Sequence, residues 1–123
     1  MEKAVPIKTD SSKFFRQYLE IINPLINITG READVLAEIL HKYYSLSKEK
    51  SLSQEYIWTI IFSYDGKQQM REKLKLSDAS FANNLTTLRQ KGLIVDNKVV
   101  KNLLVSPEKI VTVKYQFYLT DIQ

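Results

Sequence analysis

The sequence predicts an α+β protein, mostly helical, that closes with a β-hairpin. Three observations carry this. Upstream of residue 65, apolar residues recur at three- and four-residue spacing, the period of helices. The stretch Met70–Ile94, MREKLKLSDASFANNLTTLRQKGLI, reads as two short helices around a tight turn, running into a strand. Beyond Val111 the period falls to two, as a half-buried strand requires.

Taken in order, Asp10 or Ser11 caps a first helix that runs to about Ile22 and is stopped by Pro24. Its apolar face holds Phe14, Phe15, Tyr18, Leu19 and Ile22. Thr29-Gly-Arg-Glu32 is a capping box, in which hydroxyl and carboxylate satisfy each other's orphan N–H groups. It opens a helix through about Tyr44, with Leu36, Ile39, Leu40 and Tyr43 on one face. A polar loop from Ser45 to Ser53 precedes a third helix near 54–63, where Ile57, Ile60, Ile61 and Tyr64 share a side. Asp65-Gly66 breaks that helix.

In the 70–94 stretch, Met70 and Leu74 lie one turn apart and Leu76 closes the turn. Ser77 is a good N-cap for the second helix. Phe81, Leu85 and Leu88 recur at i, i+4 and i+7, giving one buried stripe. Lys91-Gly92 ends the helix with a cation near the negative end of the dipole and a glycine free to turn left-handed. Leu93-Ile94-Val95 then begins a β-type run. Finally, Val111, Val113, Tyr115, Phe117 and Leu119 alternate with Thr112, Lys114, Gln116 and Tyr118. This strand is expected to pair with 99–105 through a type I turn at Ser106-Pro107-Glu108-Lys109.

The order and spacing of Leu74, Leu76, Ser77, Leu85, Leu88, Lys91, Gly92, Leu93 and Ile94 resemble the second and recognition helices of winged helix-turn-helix proteins, in the MarR-like arrangement. At 123 residues the chain is expected to be one domain over residues 1–123. N-terminal helices would occupy 11–64, the helix-turn-helix 67–91 and the wing 93–119. The resemblance implies double-stranded DNA as the partner, in a transcriptional regulator or a phage or plasmid accessory factor. Winged helices also serve as protein-binding modules. The alternative is therefore a structural or assembly protein, such as a phage virion or replication-complex component.

Charge agrees with a nucleic-acid partner. Residues 1–65 carry 8 Lys/Arg against 9 Asp/Glu, whereas residues 66–123 carry 10 against 5. The cationic excess thus falls on the half that contains the two-helix motif. Stepping 100° per residue from the buried stripe, the opposite face of the second helix holds Ala79, Asn83, Thr86, Thr87 and Gln90, with Ser80 at its tip. Asn and Gln can pair with adenine, and Thr can meet a thymine methyl. Asp78 is assigned to capping. Phosphate contacts are expected from Lys67, Arg71 and Lys75 around the first helix, with Lys73 beside them, and from Arg89 and Lys91 at the end of the second. On the hairpin they are expected from Lys98, Lys101, Lys114 and, at the wing tip, Lys109.

At 123 residues the chain is long enough to bury a core without staples. Cysteine is absent, which excludes disulfides and thiolate chemistry. The N-terminus has no apolar h-region, and no apolar run approaches bilayer length, so a soluble, cytoplasmic protein without membrane contact is expected. His41, the sole histidine, is placed on the polar side of its helix, and Glu32, Asp34 and Glu38 lack metal-ligating company. No enzyme, cofactor or metal is expected. Tyr43, Tyr44, Tyr56, Trp58, Phe62 and Tyr64 are read as core rather than as a ligand pocket. The broad apolar face of the first helix is the expected homodimer seam.

Overall fold

A computed structural model describes residues 4–108 and 110–122 of the chain. Within them lie five helices: α1 (Phe14–Ile26), α2 (Gly30–Ser47), α3 (Gln54–Ile61), α4 (Tyr64–Leu74) and α5 (Asp78–Gln90). A two-stranded antiparallel hairpin, β1 (Ile94–Val95) and β2 (Lys98–Val99), and a single 3-10 turn at Lys101–Leu103 follow. The α+β class holds, with the helices dominant. None of the described helices is long and apolar enough to cross a membrane.

The second helix is the hub, packing against α1, α3, α4 and α5. Its sequence explains why. Val35, Leu36, Ile39 and Leu40 are fully buried, and the small Ala33 and Ala37 let neighbouring helices approach closely. The capping box forms as expected: Thr29 Oγ1 accepts from the Glu32 N–H at 3.2 Å, and Glu32 Oε1 accepts from the Thr29 N–H at 3.3 Å. The helix continues to Ser47, one turn beyond the expected end, because Tyr43 and Tyr44 still pack, on Trp58 and Phe15 respectively.

The first helix corrects two expectations. It passes through Pro24 and ends at Asn27, which adopts φ 51°. Proline removes the N–H that would reach the Glu20 carbonyl, but Glu20 and Pro24 both lie on the exposed side, where water can serve that carbonyl. Asp10 does bind the start of the segment, accepting from the Ser12 and Lys13 N–H groups at 3.0 Å each, although the residue bounding α1 is Lys13. Phe15, Tyr18, Leu19 and Ile22 are all buried within the chain's own core and Phe14 packs partly against it, so this face is not a spare dimer seam. The apolar residues that α1 leaves outside are Ile21 and Leu25.

Gly66 is no breaker. Ser63 caps α4, accepting from the Gly66 N–H at 3.0 Å, and both Asp65 and Gly66 lie in that helix's first turn. A β-carbon on Gly66 would sit 2.2 Å from the Ile60 carbonyl oxygen and 2.6 Å from that of Ile61. The glycine therefore allows α4 to start against the end of α3. Tyr64 belongs to α4 and is 78% exposed, not part of the α3 core face.

The hairpin also moves. Its loop is Asp96-Asn97, with φ 53° and 55°, the two positive values of a type I′ turn. Ile94 pairs with Val99 and Val95 with Lys98, and the Val100 N–H donates to the Leu93 carbonyl at 3.0 Å. The expected strand over 99–105 is thus divided between β2 and the 3-10 turn. Residues 111–119 form no ladder among the described residues. A two-residue type I′ loop has a twist that matches its flanking strands, which favours the hairpin at Asp96-Asn97.

Candidate nucleic-acid interface

Helices α4 and α5 are joined by three residues, Lys75-Leu76-Ser77. Lys75 takes φ 57°, which reverses the chain, and buried Leu76 anchors it. Ser77 caps α5 as expected, its Oγ accepting from the Ser80 N–H at 3.1 Å. Arg71 braces the corner: Nη1 donates to the Leu76 carbonyl at 3.0 Å, and Nε lies 2.7 Å from an Asp78 carboxylate oxygen. Asp78 therefore serves as the partner of Arg71 in the first turn of α5, while Ser77 is the cap.

Phe81, Leu85 and Leu88 are buried against the core, as the periodicity predicts. This orients the opposite face outward. Ala79, Asn83, Thr86 and Gln90 are exposed, whereas Ser80 and Thr87 are half-buried. The Thr86 and Thr87 hydroxyls donate back to the Ala82 and Asn83 carbonyls at 3.0 Å each. The Ser80 carbonyl accepts from Asn84 Nδ2 at 2.7 Å. Among the described residues, the Asn83 and Gln90 side-chain amides have no hydrogen-bond partner, so both can donate and accept outward.

The cations divide into two groups. Lys67, Lys75 and Lys101 form no ion pair among the described residues. Lys67 lines an open groove of about 330 Å³ between α4 and α5, together with Tyr64, Gln68, Phe81, Ala82 and Arg89. The other expected cations among the described residues are engaged within the chain. Arg71 braces the turn. Arg89 Nη2 donates to Asn97 Oδ1 at 3.3 Å, joining the end of α5 to the hairpin loop. Lys73 pairs with Glu38 at 3.0 Å.

Two of the cations expected at phosphate are paired within the chain. Lys91 turns inward to Glu32 at 2.6 Å and to the Asn27 carbonyl at 2.8 Å. Lys98 pairs with Glu55 at 2.7 Å and holds its carboxyl below the ordinary range. Burial pushes the Glu32 carboxyl up, but the Lys91 ammonium and the two Thr29 donors outweigh it and leave it lowered. Lys114 lies on the exposed C-terminal segment rather than on the hairpin, and Lys109 falls outside the described residues.

His41 is half-buried, its ring 5.8 Å from that of Phe15, rather than on a wet face. The aromatic set separates into core and surface. Tyr43 stacks on Trp58 at 4.3 Å and Phe62 is buried, while Tyr56 and Tyr64 are exposed. Tyr64 and Gln68 are groove residues that sequence reasoning missed. The Ser63 cap, three residues ahead of Gly66, was the signal that places both on α4.

No family model, curated protein or solved structure matches this chain.

Proposed function

We propose that α4, α5 and the β1–β2 hairpin act as a winged helix-turn-helix that binds double-stranded DNA, in a transcriptional regulator or a phage or plasmid accessory factor. The observation that carries this reading is the outward face of α5. Ala79, Asn83, Thr86 and Gln90 are exposed, small or amide-bearing, and lie opposite a fully buried stripe. Such a face enters a major groove without steric obstruction, and its amides can read adenine. Lys67 and Lys75 stand on the adjoining helix and turn, and Lys101 follows the hairpin. These three are available for phosphate.

The test is fluorescence anisotropy with mixed-sequence duplexes across a salt series. With three phosphate contacts, the log–log slope of affinity against salt is expected near about −3. No binding to any duplex at low salt overturns the proposal. One observation favours a second reading in that event. Tyr64 is 78% exposed beside a groove whose floor includes Phe81 and Leu85. That groove suits a protein segment, as in an assembly component.

A further inference from the structure

Residues 111–119 have the composition of a half-buried strand but no partner strand among the described residues. Phe117 is 91% exposed, and Ile110, Tyr118 and Leu119 are also exposed. Lys114 apart, residues 105–121 form no backbone-to-backbone hydrogen bond with another described residue, except that the Leu119 carbonyl accepts from the Ile122 N–H. The segment is placed against α1: the Tyr115 hydroxyl donates to the Ile21 carbonyl, beside the uncovered Ile21 and Leu25. A segment whose backbone, Lys114 apart, forms no ladder among the described residues, and whose apolar side chains alternate along one face, is a template for another strand.

We infer that this segment pairs antiparallel with the same segment of a second copy, forming a two-fold ribbon over the Ile21/Leu25 face of α1. The occupant follows from the sequence pattern. A ribbon centred on Tyr115 sets Val111 opposite Leu119, Val113 opposite Phe117 and Tyr115 opposite itself, so every apolar residue of one face meets another. Thr112 meets Tyr118 and Lys114 meets Gln116 on the other face. In the same register no like charges face each other over residues 110–120. Shifting the centre to residue 114 sets that lysine against itself. Isolated two-stranded ribbons are marginal in water, and the apolar surface at Ile21 and Leu25 supplies the packing that this one needs.

The absence of native cysteine makes a single-cysteine test clean. In the full chain, Tyr115→Cys is expected to form a disulfide-linked dimer under mild oxidation, because directly opposed strand residues lie within bridging distance. Lys101→Cys, away from the ribbon, is expected to stay monomeric under the same conditions. Light scattering should give twice the chain mass for the parent. Val113→Pro should return it to one chain mass with helical circular dichroism unchanged. A parent that is monomeric at high micromolar concentration overturns the inference, since the segment then folds onto its own chain. So does a dimer that survives Val113→Pro and does not cross-link through residue 115, which would place the interface elsewhere. None of these readouts involves DNA, so the ribbon and the DNA reading stand or fall separately.

Discussion

Lys91, at the end of α5, reaches the capping box that begins α2: its ammonium lies 2.6 Å from Glu32 Oε1 and 2.8 Å from the Asn27 carbonyl. The same carboxylate accepts from the Thr29 N–H and from the Thr29 hydroxyl, the latter at 2.9 Å. Glu32 and Lys91 together thus join the start of α2, the end of α5 and the loop between α1 and α2. The outward face of α5 is oriented partly by this tie.

The tie makes stability pH-dependent. The Glu32 carboxyl is lowered in the folded chain and ordinary in the unfolded one. Its contribution is therefore fully present above the ordinary carboxylate range and is lost as pH falls through the folded value. Glu32→Gln is expected to cost about 1–2 kcal/mol at neutral pH, a discounted figure because Lys91 is partly exposed. Urea titrations at neutral and acidic pH check this. The difference between parent and variant should shrink in acid; a constant difference contradicts the assignment.

Gly66→Ala should be among the most damaging single-methyl additions in the chain. The added carbon meets two backbone carbonyl oxygens, 2.2 and 2.6 Å away, and neither can rotate aside. A loss of about 3 kcal/mol or more is expected, the upper end for overpacking. Gly30→Ala is the control. Its nearest atom is the flexible end of Arg16 at 3.7 Å, and alanine is the better helix former, so a gain of about 0.5–1 kcal/mol is expected. Thermal melts of both variants decide the matter.

Arg71→Met separates bracing from phosphate contact. The guanidinium joins the Leu76 carbonyl to Asp78 across the α4–α5 turn, at 3.0 and 2.7 Å. Its loss should destabilise the domain by about 1 kcal/mol and speed amide exchange around residues 75–80. If DNA is bound, the salt slope should stay as in the parent. A slope shallower by about 1 would place Arg71 on a phosphate instead.

Asn83→Ala and Lys75→Ala should diverge in a DNA assay. Asn83 presents an unpartnered amide on the exposed face of α5, so its removal should reduce sequence preference by about 1–3 kcal/mol. Lys75 lies at the turn and should weaken all sequences alike, with the salt slope falling by about 1. Equal losses for Asn83→Ala on preferred and random duplexes would make that residue ordinary surface.

Several elements were legible in the sequence because their signals are local. The Thr29–Glu32 box, the Ser77 cap, the Phe81/Leu85/Leu88 stripe and the left-handed Gly92 each depend on residues within a few positions of one another. Such signals act before any other segment is in place. The outward face of α5 follows from that stripe by helical geometry alone, and the exposed Ala79, Asn83, Thr86 and Gln90 were identifiable on that basis.

Tertiary structure decided the rest, wherever one residue type fits two environments. Gly66 has the freedom of a breaker, but the approach of α3 makes it the first-turn glycine of α4. Pro24 should stop a helix, yet the bond it removes lies on the wet side of α1. Lys91 and Lys98 read as unpaired cations in the sequence, but Glu32 and Glu55, distant in sequence, come within 2.6 and 2.7 Å of them. The strand pattern at 111–119 gives the segment's preference, but the ladder among the described residues forms instead around the Asp96-Asn97 loop. Local patterns determine which conformations a segment prefers. Only the packed chain determines which distant charge, carbonyl or strand stands beside it, because that choice depends on contacts with the other segments.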